Sequence, residues 1–548
     1  MEQADTVIVG SGLAGLAAAA ELGDRGKRVI IVDQEPPQHL GGQAFWSLGG
    51  LCMVDTPEQR RMRIRDSRTM ALNDWMGSAQ FDRDQDHWPR LWAQAYIDFA
   101  SSDMRPWLHQ MGMRWFPVVG WAERGGSAAN GHGNSVPRFH VTWGTGPGVL
   151  APFLRRVKEH ENKGLIELRF RHKVDRIIMQ NGIAKGISGK ILRDDDAIRG
   201  ASTNREQAGD FEVNAGSVIV TSGGIGGNFE MVRKNWPRER LGEPPQSMVS
   251  GVPDHVDGSM VPVAQAVGGH VINGDRMWHY TEGVKNWDPI WPNHGIRILP
   301  GPSSMWFDAE GNRFAPPAMP GFDSLGTLKA ILATGYDYSW FILTQKIIEK
   351  EFALSGSEQN PDLTSAKWSE VLKARLGKGA TPAVEAFKEK GEDFVVAHDL
   401  DTLVNGMNQV AGGHLLKAEK LRGQIQARDL QIDNPFSKDP QITAIRGARN
   451  YLGDRLIRTA KPHKILDPAN GPLIAVKLHI VTRKSLGGFQ TNLDSQMVDA
   501  KGNAIPGLFA AGEVAGFGGG GYHGYNSLEG TFLGGCIFSG MKAGRAAG

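Results

Sequence analysis

The sequence predicts an α/β fold in which a mostly parallel sheet domain comes in two segments, separated by an inserted domain. Three observations carry this prediction. A strand, a glycine turn and a helix occupy residues 6–22, a second strand runs into glycines at 217–224, and a third strand ends in an acid at 507–513. At 548 residues the chain is too long for one hydrophobic core, so two or three domains are expected.

The turn after the first strand has the spacing of a dinucleotide-binding fingerprint. Gly10 permits a tight turn, Gly12 lets the backbone approach a pyrophosphate, and Gly15 lets the following helix pack closely on the strand. The N terminus of that helix faces the phosphate charge. The next strand ends at Asp33, eighteen residues after Gly15, where a carboxylate can accept both hydroxyls of a ribose. These features predict a Rossmann-like βαβ unit.

Three further segments favour FAD over NAD as the dinucleotide. Residues 41–50 contain two glycine pairs, which let the backbone wrap around a bulky planar cofactor. Residues 217–224 form a strand that runs into a glycine turn. Residues 507–513 form a strand that ends in Glu513, and a glycine-rich stretch and a last helix follow it. A plain NAD dehydrogenase would leave Glu513 and the late glycines without a role, so we predict FAD.

Composition excludes several other classes of protein. Lys and Arg total 61 and Asp and Glu total 59, which leaves a net charge of +2 and no basic field for nucleic acid. The cysteines, Cys52 and Cys536, make neither a disulfide framework nor a metal cluster, so we expect no metal site and a reducing compartment. With no signal peptide and no apolar run long enough for a membrane span, the expected location is cytoplasmic, with no integral membrane segment.

The segments together resemble the flavoprotein superfamily of succinate dehydrogenases, fumarate reductases and 3-ketosteroid dehydrogenases over nearly the whole chain. Phe-Asp-Ser-Leu-Gly-Thr at 322–327 and Leu-Glu-Gly-Thr-Phe-Leu-Gly-Gly at 528–535 are most similar to uncharacterised bacterial FAD-binding dehydrogenases that are ketosteroid-dehydrogenase-like. The resemblance implies a Rossmann-like FAD-binding domain made of residues 1–278 and 485–548. An α+β capping domain, residues 279–484, is inserted between them and covers the substrate.

The resemblance also implies which residues contact FAD. Glu513 would hold the ribityl chain, and the turn at Gly223 and Gly224 would lie beside the cofactor. The last helix would begin near Asn526 and Ser527 and point its N terminus at the pyrimidine edge of the flavin, where charge accumulates on reduction. Helix capping alone is an equally good reading of those two side chains.

Attachment of the cofactor depends on one position. In succinate dehydrogenases a histidine in the segment similar to 41–50 carries the flavin covalently, and here Gln43 stands in that place. We therefore expect FAD to be bound non-covalently. The full predicted cofactor-binding set is Gly10, Gly12, Leu13, Ala14, Gly15, Asp33, Gln34, Gly41, Gly42, Gln43, Ser47, Gly49, Gly50, Val174, Ser222, Gly223, Gly224, Gly488, Gly512, Glu513, Asn526, Ser527 and Leu528.

The residues that bind fumarate in the fumarate reductases are mostly replaced. Gly321 and Ser527 stand where those enzymes have arginines, and Lys484 stands where they have a histidine. Only His279 is retained. Because bidentate recognition of a carboxylate needs a guanidinium, these replacements argue against a small dicarboxylate substrate.

The leading hypothesis is an FAD-dependent dehydrogenase or reductase that acts on a carbon–carbon bond next to an activating group. The substrate would be bulky, apolar, cyclic and ketone-like. Tyr525 or Glu529 is the candidate base, and His279 and Lys484 are candidates for polarising the carbonyl. Each also has a purely structural alternative: packing for Tyr525 and His279, a surface position for Lys484, and a helix-terminal acid for Glu529.

Two other functions stay open from the sequence. One is a fumarate-reductase-like reductase of an unsaturated acid. The other is an FAD-dependent RNA-modifying protein, which would need basic surface for phosphates that this near-neutral chain lacks. No second nucleotide-binding fold is apparent, so electrons are expected to pass to an external, quinone-like acceptor.

Overall fold

A computed structural model describes residues 2–125, 132–375 and 377–548. The strands within these ranges are β1 (Glu2–Val9), β2 (Val29–Val32), β3 (Gly50–Cys52), β4 (Phe139–Val141), β5 (Ile166–Arg169), β6 (His172–Gln180), β7 (Ile183–Leu192), β8 (Gln207–Val220), β9 (Val249–Ser250), β10 (Val271–Ile272), β11 (Met277–Lys285), β12 (Gly295–Leu299), β13 (Met305–Asp308), β14 (Tyr338–Thr344), β15 (Ala353–Leu354), β16 (Phe394–Ala397), β17 (Leu473–Ser485), β18 (Gly488–Phe489), β19 (Gln496–Val498) and β20 (Ala504–Ala510).

Helices surround these strands, and in the described part of the chain none is both long and apolar enough to cross a bilayer. They are α1 (Leu13–Asp24), α2 (Pro57–Arg61), α3 (Arg68–Ala79), α4 (His87–Ser101), α5 (Met104–Gln110), α6 (Thr145–Asn162), α7 (Phe229–Lys234), α8 (Arg238–Leu241), α9 (Met260–Gln265), α10 (Ser324–Leu332), α11 (Gln345–Glu351), α12 (Pro361–Thr364), α13 (Trp368–Arg375), α14 (Pro382–Lys390), α15 (Leu400–Ala411), α16 (Ala418–Leu430), α17 (Pro440–Ala448), α18 (Leu452–Ile457) and α19 (Thr531–Ala547).

The first sheet is parallel at its centre. Strand β1 pairs in parallel with β2 and with β8, β2 pairs with β5, and β8 pairs with β20. Alternate residues of β2 pack on opposite faces, with Ile31 in one hydrophobic cluster and Ile30 in the other. A strand buried on both faces reads as a continuous apolar run, as this one does. The order β5-β2-β1-β8-β20 confirms the predicted Rossmann-like sheet.

Helices α1 and α19 pack against each other on this sheet. Small residues allow the close approach, because a Cβ on Gly540 would lie 2.3 Å from the carbonyl oxygen of Ala14, and a Cβ on Gly544 would lie 2.5 Å from that of Ala18. The alanines of α1 are fully buried. The first and last helices of the chain are therefore joined in one core.

The second sheet is largely antiparallel and has β17 at its centre. Its order is β13-β14-β17-β11-β12-β15, and β16 and β9 also pair with β17. Each face carries its own core: Phe341 and Leu343 of β14 belong to one cluster, and Trp340 and Ile342 belong to the other. This period-2 alternation is what a sheet covered on both faces requires.

Two paired strands join the two sheets. Strand β11 runs antiparallel to β17, with Met277 opposite Ser485 and Trp278 opposite Lys484. The predicted domain boundaries, 278/279 and 484/485, fall at these paired positions inside the strands. Strand β9, from the segment before the predicted cap, also pairs with β17. The division into flavin domain and cap stays a prediction. The two points at which the chain would pass between these domains lie side by side, in the paired strands β11 and β17.

Candidate active site

A cavity lies where the parallel strands of the first sheet end and the second sheet begins. It is lined by residues at or just beyond the C-terminal ends of β1, β2, β8 and β20, and by residues of β11, β12 and β17. This edge is where open α/β sheets bind their ligands. The first turns of α1 and α19, the segment 34–50 after β2 and parts of several other loops and strands complete the wall.

The fingerprint glycines each have a separate physical role at this edge. Gly10 has φ +108°, and a Cβ there would lie 2.6 Å from the carbonyl oxygen of Thr221. A Cβ on Gly15 would lie 2.2 Å from the carbonyl oxygen of Gly10. A Cβ on Gly12 would meet nothing within 4 Å, because it would project into open space. Gly12 also begins α1 without a side chain to cap the first N–H groups, which suits a bound pyrophosphate.

Asp33 is fixed at the end of β2 by hydrogen bonds from the turn. Its Oδ2 accepts from the backbone N–H of Ser11 at 2.8 Å and from the Ser11 hydroxyl at 2.6 Å. Its Oδ1 accepts from the backbone N–H of Glu35 at 2.9 Å. The carboxylate therefore stands beside the fingerprint turn and lines the cavity, the position expected for the ribose-binding acid.

A buried cluster of polar groups surrounds Glu513 further along the cavity. Gln43 donates from Nε2 to Oε2 of Glu513 at 2.9 Å, and the backbone N–H of Ser485 donates to Oε1 at 2.9 Å. Lys484 places Nζ 3.5 Å from Oε2 of Glu513 and 2.7 Å from Oε1 of Gln43. Burial lowers the pKa of Lys484, and the charge of Glu513 opposes that change.

A second cluster joins Glu529 to the inserted segment. Arg297 donates from Nη1 to Oε1 of Glu529 at 2.8 Å, and the Trp278 indole N–H donates to the same oxygen at 3.3 Å. The Arg297 guanidinium lies 3.6 Å from the centre of the Tyr280 ring. Burial raises the pKa of Tyr280, and the charge of Glu529 adds to this, so the phenol is neutral near pH 7. Tyr280, Arg297 and Glu529 all line the cavity.

Arg297 has unused hydrogen-bonding capacity at this point. Its side chain is 4% exposed, and its Nε and Nη2 have no hydrogen-bond partner among the described residues. Arg483 lines the same cavity. In the sequence, Gly321 and Ser527 stand where fumarate reductases have arginines. The sequence does not predict that Arg297, on strand β12, supplies a guanidinium to the same cavity.

The last helix begins later than the sequence predicts. Helix α19 starts at Thr531, after Gly530 with φ +90°, so Asn526, Ser527 and Glu529 lie in the loop that precedes it. The N-terminal part of the helix still reaches the cavity, through Gly530 and Phe532. The predicted helix start near Asn526 and Ser527 is therefore wrong, because the glycine-rich stretch extends further than expected.

Most of the predicted cofactor-binding residues come together in this cavity. Those that line it are Gly10, Gly12, Leu13, Ala14, Asp33, Gln34, Gly42, Gln43, Ser47, Gly50, Val174, Ser222, Gly223, Gly512 and Glu513. Those that the structure does not place in its wall are Gly15, Gly41, Gly49, Gly224, Gly488, Asn526, Ser527 and Leu528.

Several of these other glycines support the wall from behind. A Cβ on Gly224 would lie 2.1 Å from Oε1 of Glu513, and one on Gly49 would lie 2.7 Å from the backbone carbon of Thr145. Gly224 leaves room for Glu513, which lines the cavity, and Gly49 leaves room for the backbone at the start of α6. Asn526, Ser527 and Leu528 line a smaller neighbouring pocket.

The four predicted catalytic residues divide into two pairs. Lys484 and Glu529 line the cavity, whereas His279 and Tyr525 do not. His279 lies on the face of β11 opposite Tyr280, where its ring stacks on Trp236 at 5.3 Å and burial lowers its pKa to about 4.

Tyr525 is held at a different site. Its hydroxyl donates to the carboxylate of Asp82 at 3.0 Å, and the Arg240 guanidinium lies 3.7 Å from the centre of its ring. The structure therefore places Tyr525 outside the wall of this cavity, as it does His279. Tyr280 is not among the predicted site residues. Neighbouring residues of a strand point to opposite faces, so His279 and Tyr280 were equally good candidates for the face of β11 that lines the cavity.

Comparison with known proteins identifies the family. The model of the family described as FAD binding domain matches residues 5–533. The chain belongs to this FAD-binding family. It is an FAD-dependent oxidoreductase, and the predicted cofactor is confirmed.

The relatives narrow the family further. A KsdD-like steroid dehydrogenase of Mycobacterium tuberculosis is 57% identical over 544 residues, which cover 99% of this chain and 95% of the relative. A KsdD-like steroid dehydrogenase of Mycolicibacterium smegmatis is 58% identical over 535 residues, which cover 97% of this chain and 96% of that relative. The fold of 3-ketosteroid Δ1-dehydrogenase from Sterolibacterium denitrificans, solved with 1,4-androstadiene-3,17-dione, is similar with a TM-score of 0.70 at 15% identity, covering 100% of this chain and 99% of that one. The predicted resemblance is thus confirmed.

Matched glycine variants test how the fingerprint turn holds FAD. We expect Gly12→Ala to leave the thermal stability of the cofactor-free protein unchanged, because the new methyl meets no protein atom within 4 Å. It should weaken FAD binding about tenfold or more by blocking the phosphate approach. Gly15→Ala, which places a methyl 2.2 Å from a backbone oxygen, should instead lower the melting temperature. Titration of FAD and thermal unfolding measure both; a Gly12→Ala protein with wild-type affinity would contradict this assignment.

Attachment of the flavin gives a second prediction. Gln43 is committed to Glu513 by a hydrogen bond, and an amide offers no nucleophile for a flavin bond. Acid precipitation of the yellow protein should therefore release all flavin into the supernatant. A covalent flavoprotein carried through the same procedure serves as the control, and flavin retained in the pellet would show the expectation to be wrong.

Proposed function

We propose that this protein transfers hydride to or from a carbon–carbon bond next to a ketone in a bulky, apolar, steroid-like substrate. The observation that carries the proposal is the cluster of Tyr280, Arg297 and Glu529 beside the first turn of α19, inside the FAD cavity. The identity with KsdD-like steroid dehydrogenases supports the same substrate class.

The two halves of the cavity have different tasks in this proposal. The fingerprint turn at Gly12, the acid Asp33 and the Glu513 cluster hold the cofactor. FAD, when bound, supplies the hydride acceptor or donor. The groups of the second sheet then have only to bind the substrate oxygen and to move a proton.

Arg297 is the group that binds the substrate ketone oxygen. Its Nη1 is occupied by Glu529, while Nε and Nη2 are buried without a hydrogen-bond partner among the described residues, and Nη2 lies 4.0 Å from Oε2 of Glu123. A ketone oxygen satisfies these donors, and the guanidinium charge stabilises the negative charge that develops on the oxygen when the neighbouring carbon loses its proton. Lys484 is committed to Gln43 and Glu513, so we assign it to the cofactor side.

Glu529 is the base in the oxidative direction. Its Oε1 is fixed by Arg297 and by the Trp278 indole, which leaves Oε2 to take the proton from the carbon beside the carbonyl. Tyr280 is neutral and acts as a hydrogen-bond donor. In the reductive direction the same carboxyl group returns the proton.

The cavity wall accounts for the proposed size and polarity of the substrate. Leu48, Ala122, Phe139 and Leu299 surround the cluster with apolar surface, which suits fused rings. Electrons are then passed to an external quinone-like acceptor, and the cytoplasm is the proposed compartment. No nucleic-acid partner is proposed, since the chain carries a net charge of only +2.

Anaerobic mixing tests the substrate class. We expect 4-androstene-3,17-dione to bleach the flavin absorbance of the oxidised protein, or 1,4-androstadiene-3,17-dione to restore it in the reduced protein. Fumarate is the matched comparison, because Arg297 and Arg483 could in principle hold a carboxylate. Reoxidation by fumarate, with no response to either steroid, would overturn the ketone proposal in favour of an unsaturated acid.

Substitution of Glu529 tests the base. Glu529→Gln keeps the shape and the hydrogen bond from Arg297 but cannot accept a proton, so flavin reduction should slow about 10²–10⁴-fold with FAD content unchanged. Tyr525→Phe decides between the two predicted bases: it lies outside the cavity and should reduce flavin at close to the wild-type rate. The opposite pattern would assign the base to Tyr525.

A further inference from the structure

A second, apolar cavity adjoins the FAD cavity. The two share Leu48, Phe139 and Leu299 in their walls. Phe116 and Trp121 line the second cavity on one side, and residues of the inserted segment line it on the other. No step of the proposed chemistry uses this space.

The second cavity reaches the surface between helices α13 and α18. Leu456 and Ile457 line it although their side chains are 53% and 45% exposed. Beside them, Leu452 of α18 is 42% exposed, and Trp368 and Leu372 of α13 are each 52% exposed. We call these five residues the apolar rim. Two of the five line the cavity and the other three lie on the same two helices, and an exposed apolar patch of this kind marks an interaction surface.

Basic side chains accompany the apolar rim. The exposed cations on the two helices and in the turns beside them are Lys367, Lys373, Arg375, Lys378, Arg455 and Lys461. Arg375 is paired with the buried Asp362, and the other five carry the positive charge of this surface. The exposed acids nearby are Glu370 on α13 and Glu349, which lines the cavity. Helices that expose apolar residues among lysines and arginines bind at the interface of anionic lipid bilayers.

We propose that the apolar rim docks on an anionic lipid surface and that substrate enters from the bilayer through the second cavity. The docking on lipid does not depend on the proposed function. Only the entry of an apolar ketone through the second cavity rests on the proposed function. A second copy of this chain is a poorer occupant, because two basic rims would face each other. An apolar substrate that partitions into lipid would reach the FAD cavity without crossing water.

Vesicle binding by the FAD-loaded full chain tests the docking. We expect it to co-sediment with vesicles of phosphatidylcholine containing one-third phosphatidylglycerol, weakly with phosphatidylcholine alone, and less at high salt. The triple variant Leu452→Ser, Leu456→Ser, Ile457→Ser should lower the bound fraction about fivefold or more. Leu430→Ser with Phe436→Ser is the matched control, since those side chains are 72% and 86% exposed away from the rim and should leave binding unchanged.

A charge-reversal variant keeps the test decisive if the triple variant folds poorly. Lys373→Glu with Arg455→Glu should abolish the preference for phosphatidylglycerol, while flavin absorbance and melting temperature report an intact fold. The proposal is overturned if the wild type ignores both vesicles, or if the triple variant binds them fully. A rim-dependent dimer in sedimentation velocity would overturn it too. Because no steroid enters these measurements, their failure is distinct from failure of the ketone proposal.

Discussion

One buried carboxylate, Glu513, ties together segments that lie far apart in the chain. It lies just beyond β20, in the short 3-10 turn Gly512–Val514 and not at the end of the strand itself. It accepts hydrogen bonds from Gln43 and from the backbone of Ser485, and occupies space that a side chain at Gly224 would fill. A buried charge is tolerated only when donors surround it, so these segments have to meet here. The loop after β2, the turn after β8 and the return strand from the inserted segment thus take their positions from the same group.

The Arg297–Glu529 pair places a second demand on the fold. Both side chains are almost completely buried, and an ion pair of this kind contributes little net stability because both charges lose their hydration. Removing Arg297 would leave the buried Glu529 carboxylate without its ion-pair partner, whereas Arg297 also lies 4.0 Å from Glu123. The pair lines the cavity although its desolvation offsets most of its contribution to stability. This favours a functional role for the pair over a purely structural one.

Local patterns in the sequence were sufficient for the nucleotide-binding half. Gly10, Gly12, Gly15 and Asp33 lie within one βαβ unit, where spacing alone identifies a dinucleotide-binding turn. Arg297 had no such signal, because it lies in no motif and its partner Glu529 is 232 residues away. The resemblance directed attention to His279 and Tyr525, but side-chain direction in β11 and the late start of α19 are set by tertiary pairing. Family likeness does not specify them.

The antiparallel pairing of β11 with β17 has a mechanical consequence. Because both crossings to the inserted segment belong to one hydrogen-bonded ribbon, that segment cannot swivel about single backbone bonds as it would on flexible linkers. Any rotation has to bend or twist the ribbon, whose stiffness comes from its ladder. Tyr280 and Lys484 lie on these same two strands, so such a distortion would displace both of these cavity-lining side chains together.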